Sequence, residues 1–315
     1  MPRSIPGSAT HEQALSEVVP RVDESVRRTL ADSRWRGAIR ATLQFATASP
    51  LNAVAVLLVA VVVLAALLGP WLAPYAPGAM TLTERLRAPT GAHPFGTDDF
   101  GRDILSRVLA GARISIQVAL IVLSISVGLG TILGAFAGLL GGLADEVIMR
   151  ITDLFLAFPV LILAAAIAAT LGGNLTTTMI ALATVFWPWY ARLVRAQVLS
   201  LREREYIVAS RAMGASPLWL IRAHLLPNVM PLVIVQASLD VGYVILATSS
   251  LSFLGLGAQA PTPEWGAMLT DARAYVLDAW WFATFPGLAL GFTVFAFNLL
   301  GDGLRDWLDP RLRSH

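Results

Sequence analysis

Long apolar runs, separated by short polar stretches, divide this chain. Leu51 to Gly69 carries no charge and ends at Pro70. Ile114 to Leu140, Ile151 to Leu171, Val229 to Leu251 and Phe282 to Leu300 are similar, and Thr176 to Tyr190 is a shorter run extendable through Val194. About 20 apolar residues in a helix cross a hydrocarbon layer. The pattern therefore predicts an all-α polytopic membrane protein with six spans, near 51–69, 114–140, 151–171, 176–194, 229–251 and 282–300. Pro159, Pro231 and Pro286 fall inside spans, where a bundle tolerates them, and Pro159 is read as a kink.

The polar stretches have patterns of their own. In residues 1–50, Val22, Val26 and Leu30, then Trp35, Ile39 and Leu43, recur at helical spacing among seven Arg. This predicts an amphipathic basic helix on a membrane face, although a solvated tail is an equal reading for residues 1–20. The stretch is too long and polar for a secretory signal. Residues 93–116 read as an interfacial helix. Thr97, Asp98 and Asp99 offer caps, Ile104, Leu105, Val108 and Leu109 form an oily face, and Arg102, Asp103, Ser106 and Arg107 form a polar one. Capping accounts for the aspartates better than a metal site built from His93, Asp98, Asp99 and Asp103.

Arg202 to Asn228 interrupts the oily pattern most sharply. Glu203 and Glu205 lie near a helix start and Arg211 near its end, as the helix dipole favours. Gly214 suits a C′ position, and Ser216-Pro217 suits an N-cap followed by proline at the first helical position. A second helix would run from Leu218 to Leu226 and stop at Pro227. Tyr206, Ala209, Ser210 and Met213 share a face that could seat in a groove on a partner; a connector packed only on its own bundle is the competing reading.

Composition narrows the chemistry. The chain is 56% hydrophobic and 14% charged, far from the quarter charged of a soluble domain. It has no Cys, so disulfides and thiol chemistry are excluded. All 23 basic residues are Arg, and without Lys there is no Walker A lysine, Schiff base or Ser-Lys dyad. The arginines also orient the chain. With the N-terminus inside, 17 lie on inside segments and 6 on outside segments, including Arg85, Arg87, Arg102, Arg107 and Arg113. The positive-inside rule favours this orientation, with both termini and the 202–228 stretch cytoplasmic.

Several residues within spans stand out. Gly130, Gly134, Gly138 and Gly142 make a small-xxx-small ridge, read as packing within the same bundle. Asp240, near the middle of span 5, is costly in a membrane; it either lines a translocation path, meeting a cationic group of the cargo, or fixes helix packing. Asp153 lies three residues from Arg150, a local ion pair, and Asn298 reads as packing glue. Trp187, Trp189 and Tyr190, with Trp280 and Trp281, fit interfacial aromatic belts. The 252–281 stretch, with Pro261, Pro263 and Trp265, faces outside and could cap a pore or touch a delivering protein. No catalytic constellation is present in the sequence.

YIVASRAMGAS…HLLPN resembles the cytoplasmic EAA loop of ABC importer permeases. HPFGTDDFGRDILSRVLAGARISI (93–116), SLSFLGLGAQAPTPEWGAML (250–269) and NLLGDGLRDWLDPRL (298–312) resemble the dipeptide/oligopeptide/nickel permease family, on the side of its second, C-type subunit. The likeness runs from about residue 50 to the C-terminus. The family's Glu-Ala-Ala is here Val208-Ala209-Ser210, and His224 replaces its usual Ile, while Gly214 and Leu226-Pro227 keep the family spacing. Glu205, one turn earlier, could stand in for the missing glutamate.

The resemblance implies a bacterial inner-membrane permease subunit moving di- or oligopeptides. It implies a homologous second permease, two ATPase subunits or domains, an extracytoplasmic substrate-binding protein and surrounding lipid as partners, with no nucleic acid. ATP and Mg would be bound by the partner ATPases and no cofactor by this chain. The coupling residues would be Glu205, Tyr206, Ala209, Ser210, Met213, Gly214, Ala215, Ser216 and Pro217. ATPase closure pushing on 202–227 would tilt spans 3 to 5. Rival readings are a nickel or other small-solute permease, an ion-coupled secondary transporter titrating Asp240, and a membrane-embedded enzyme.

Overall fold

The computed structural model describes residues 42–308. Of the amphipathic pattern expected in the N-terminal tail, only Leu43 falls within them, in a helix over 42–48; the rest lies outside the described residues.

The described residues are mostly helical. Helix α1 (Pro50–Leu72) starts at Ser49, whose hydroxyl accepts from the Leu51 N–H, with Pro50 at the first position. Then follow α2 (Ile104–Leu140), α3 (Gly142–Leu156), α4 (Val160–Thr170) and α5 (Leu175–Arg202). A short α6 (Glu205–Ala212) leads to α7 (Pro217–Phe253), then α8 (Trp265–Ala272) and α9 (Trp280–Leu308).

Contacts between helix ends sort the connections onto two faces. Trp281 Nε1 donates to Thr97 O and Thr178 Oγ1 to Leu256 O, so segments 73–103 and 254–279 gather at the starts of α2, α5 and α9. At the other face, Arg202 Nη1 donates to Gly138 O, and Phe45 stacks edge-on against Trp307. The 203–216 turn therefore sits at the opposite end from the 73–103 segment.

The predicted apolar runs lie in helices, the 151–171 run in two of them, and the structure corrects three expectations. First, α1, α2, α7 and α9 are long and apolar enough to cross a membrane, and the α3–α4 pair would count as one more span. That pair is bent by 90°, so the 151–171 run is broken and not merely kinked. Pro159 has no N–H to continue α3 and, with ψ 124, sits outside the helical range as the N-cap of α4. Second, no separate interfacial helix forms over 93–116. Residues 93–103 are turns with one bridge between Thr97 and Asp103, and α2 begins at Ile104 and continues unbroken into the 114–140 run. Third, the second arm of the hairpin does not stop at Pro227. A π-turn over Ile221–Leu225 lets the Leu226 N–H reach Ile221 O. The widened turn removes the clash a proline ring makes with the carbonyl four residues back, and α7 runs on to Phe253.

The core is the seam between α2 and α5. A Cβ on Gly130 would lie 2.5 Å from Trp187 O, and one on Gly134 would lie 2.4 Å from Ala191 O. The backbones touch where no side chain fits, so the ridge packs within this chain. Gly142 leaves the ridge: α2 ends at Leu140 with Gly141 as its cap, and Gly142 has φ +55 with open space around it. α5, at 28 residues, is long enough to span but more polar than its neighbours. Its polar and small residues, such as Thr178, Ala183 and Ala191, are buried against other helices and not against lipid.

Candidate functional site

The 202–227 segment forms a helix–turn–helix with an exposed apolar crest. α6 ends in a complete Schellman turn: the Ala215 N–H donates to Ser210 O and the Gly214 N–H to Arg211 O. That closure needs a left-handed residue, and Gly214 supplies it at φ +87. Ser216 Oγ then accepts from the Trp219 N–H with Pro217 at the first position, starting α7. Ile207 and Leu220 are buried and anchor the two arms.

The expected contact residues divide. Tyr206, Ala209 and Met213 are exposed, Met213 at 82%, and Leu218 and Trp219 add apolar surface beside the turn, while Val208 is exposed on another side of α6. Ser210 is buried, and its hydroxyl donates to Tyr206 O. Ser210, Met213, Gly214, Ala215, Ser216 and Trp219 line a concavity of about 470 Å³ at the turn. Glu205 sits exposed in the first turn of α6, where it suits the dipole. It makes no ion pair among the described residues.

His224 has a role its spacing did not suggest. Its ring meets Tyr206 at 5.6 Å and Trp219 at 4.9 Å, both edge-on, and so clasps α6 to α7 from between two aromatics. The aromatic spacing around residue 224 was the available signal, but only the closed hairpin brings the rings together.

Two struts join the hairpin's supporting helix to α3. Arg195 makes a two-pronged pair with Asp145, with Nη2 to Oδ2 at 2.7 Å, and Arg192 pairs with Asp153. The expected Arg150–Asp153 pair does not form; Arg150 lies 3.8 Å from Glu146. In a helix, side chains four apart meet more readily when the acid comes first, which leaves Asp153 free for α5.

Asp240 lies inside the bundle on α7. Tyr190 Oη donates to its Oδ2 at 2.6 Å and Gln236 Nε2 to its Oδ1 at 3.0 Å. The carboxylate borders a cavity of about 270 Å³ formed by α3, α4, α5 and α7. Of the expected belt aromatics, only Trp189 and Trp280 are exposed; Trp187, Tyr190 and Trp281 pack inside, because they serve helix contacts.

At the opposite face, a buried charged knot replaces the expected polar helix surface. Arg102, Asp98, Asp103 and Arg107 are all nearly inaccessible. Arg102 Nε donates to Asp98 Oδ2 at 2.5 Å, and Arg107 Nε lies 3.5 Å from the same oxygen. The true cap of α2 is Asp103, which accepts from the Ser106 N–H and Oγ and also pairs with His93. Thr97 serves the Arg87 N–H, not a helix end. Burial, with the nearby carboxylates, raises Asp99 above the ordinary carboxylate range, and burial does the same for Asp271. Glu264 caps α8, and its other oxygen accepts from Ser249 Oγ. No group of three or more acidic or histidine side chains is arranged to hold a metal among the described residues.

Residues 130–314 match a family described as "Binding-protein-dependent transport system inner membrane component". The chain belongs to that family. This permease is 48% identical over 84% of its length, and 88% of the relative's, to the probable D,D-dipeptide transport system permease protein DdpC of Escherichia coli. It is 45% identical to the Escherichia coli nickel transport system permease protein NikC, over 82% and 93% of the two chains. Against the dipeptide transport system permease protein DppC of Alkalihalophilus pseudofirmus the identity is 42%, covering 96% and 99%. Among solved structures, a MetNI methionine ABC transporter chain aligns with 62% of this chain and 95% of its own, at TM-score 0.47 and 20% identity. The permease is thus a multi-pass membrane component of an ABC importer that works with ATPase subunits and a substrate-binding protein.

Proposed function

We propose that this permease is the second, C-type transmembrane subunit of an importer that brings di- or oligopeptides into the cytoplasm. The α6–α7 hairpin is its ATPase-coupling element. The observation that carries the reading is the crest of Tyr206, Met213, Leu218 and Trp219, exposed around a turn locked by Gly214. Exposed apolar patches of this kind mark docking sites, and this one is stapled to the pore-forming helices. α7 carries hairpin motion straight to Asp240, and the Arg192 and Arg195 struts carry it to α3.

In the assembled importer, a homologous permease sits beside this chain, two ATPase subunits bind ATP and Mg beneath it, and an extracytoplasmic binding protein delivers cargo above it. The arginine distribution supports the hairpin and both termini being cytoplasmic, in a bacterial inner membrane. Similarity to a nickel permease favours nickel as the second cargo reading.

Co-expression with candidate ATPase subunits and a candidate second permease, with the binding protein added for transport, tests the assignment. The chain is expected to purify with them and to support ATP-dependent alanyl-alanine uptake in proteoliposomes. Uptake by the chain alone, without ATP, would overturn it in favour of ion-coupled transport. Uptake of nickel but not dipeptide would select the second cargo.

A further inference from the structure

We propose that Asp240 and the aromatic wall beside it form a subsite for a primary ammonium group, through which the permease holds the amino-terminal end of a passing peptide. The inference deepens the peptide-importer reading and rests on it.

Charge comes first. Asp240 has no cationic partner among the described residues; its two hydrogen bonds come from a phenol and an amide, both neutral donors. A carboxylate inside a bundle is normally paired, because isolated charge in a low-dielectric site is costly. Here no described residue supplies the countercharge, while Tyr190 and Gln236 fix the carboxylate in place.

The surroundings complete the site. Phe186, Trp189 and Tyr243 line the same cavity as Asp240 and Gln236. Phe186 and Tyr243 lie 5.5 Å apart at a tilt of 59°, so their rings present different faces to the space. A carboxylate flanked by aromatic faces is the chemistry that binds ammonium ions, by ion pairing together with cation–π attraction. The cavity is not sealed: Trp189 and Tyr243 are each about half exposed, which leaves a way in.

Size and ligand type restrict the occupant. About 270 Å³ lies just under the ~300–1,000 Å³ of sites that enclose a drug-sized ligand, which is room for the amino-terminal end of a peptide. A bare divalent transition metal is served poorly. The lining offers one carboxylate and no imidazole or thiolate, whereas such ions take several strong ligands.

The test uses the purified importer with its ATPase partners in lipid nanodiscs, with the binding protein omitted. Photo-leucyl-alanine, which carries a diazirine, is compared with its N-acetylated form; after irradiation, labelled positions are mapped by mass spectrometry. The free-amine probe is expected to label residues 185–189 and 236–243 at least ten-fold more than the acetylated probe. Asp240→Asn should remove that preference. Trp189→Leu should weaken labelling several-fold, and Trp189→Phe should retain most of it. Equal labelling by the two probes in the unaltered protein, or labelling indifferent to Asp240→Asn, would overturn the subsite. The probe comparison decides alone if the Asn variant fails to assemble. Alanyl-alanine uptake by the same importer, reconstituted in proteoliposomes with its binding protein, separates the two readings. Uptake without amine-selective labelling removes the subsite and leaves the importer. Amine-selective labelling without uptake removes the peptide importer and leaves an ammonium site.

Discussion

Two single residues carry unusual constraint. Gly214 has open space where a Cβ would go, so only its backbone matters. A β-branched residue at φ +87 is strained by on the order of 1–3 kcal/mol, and the turn would relax by rotating the crest. Gly214→Val is expected to leave ATP hydrolysis and membrane insertion near normal while lowering peptide moved per ATP several-fold. Gly214→Asn, which tolerates the left-handed region, should keep most coupling. The ratio of uptake to phosphate release checks both, and an unchanged ratio in the Val variant would count against the hinge. Arg102 is constrained by charge. Arg102→Ala leaves buried Asp98 with Arg107, at 3.5 Å, as its remaining cation, so the cost falls below the about 3–5 kcal/mol of leaving a buried charge unpaired. A clear drop in the melting temperature of the detergent-solubilised protein is the expected reading. Both constraints begin in the sequence, but only Gly214 was legible there. Its place before Ser216-Pro217 announces a helix stop, whereas Arg102 looks like any polar face until the loop folds over it.

Among the helices, the α2–α5 seam and the α7 hairpin arm show how far local pattern reaches. Glycine at every fourth position of α2 foretells close helix approach, and the structure supplies the neighbour. Gly134→Ala would push a methyl to 2.4 Å from Ala191 O, and overpacking of this sort costs about 1–3 kcal/mol. Gly128→Ala on the same helix meets nothing within 4 Å and gains helix propensity, so it should be neutral or stabilising. A pair of thermal melts distinguishes the two; equal behaviour would mean the seam is not a tight contact. The helix ends were less legible. Pro159 breaks its run outright and Pro227 does not break its own at all. The difference lies in the π-turn that precedes Pro227, which depends on how Leu220, Ile221 and Leu225 bury against the bundle.

On the scale of the whole molecule, two charged assemblies mark opposite faces. One is the Arg202 and Arg195 anchorage beneath the hairpin; the other is the Asp98–Arg102–Arg107 knot. Sidedness is directly testable because the chain has no native Cys. Met213→Cys and Leu277→Cys place single thiols at positions 82% and 97% exposed, on opposite faces. In the permease expressed without its ATPase partners, an impermeant maleimide should reach residue 213 only in inside-out vesicles and residue 277 only in right-side-out vesicles. The reverse pattern would invert the orientation that the arginine distribution supports.

Apolar run length and arginine placement in the sequence determined the helical membrane class, and the glycine and cap residues determined where the hairpin turns. These are local or additive properties: hydrophobic transfer, backbone conformation and charge act residue by residue. Which residues become buried was decided only by tertiary packing. It placed Arg102 and Arg107 inside, closed Tyr206 and Trp219 around His224, and set Asp240 between Tyr190 and an aromatic wall. Such arrangements depend on segments distant in the chain meeting at fixed distances, and neither periodicity nor composition encodes a distance between helices.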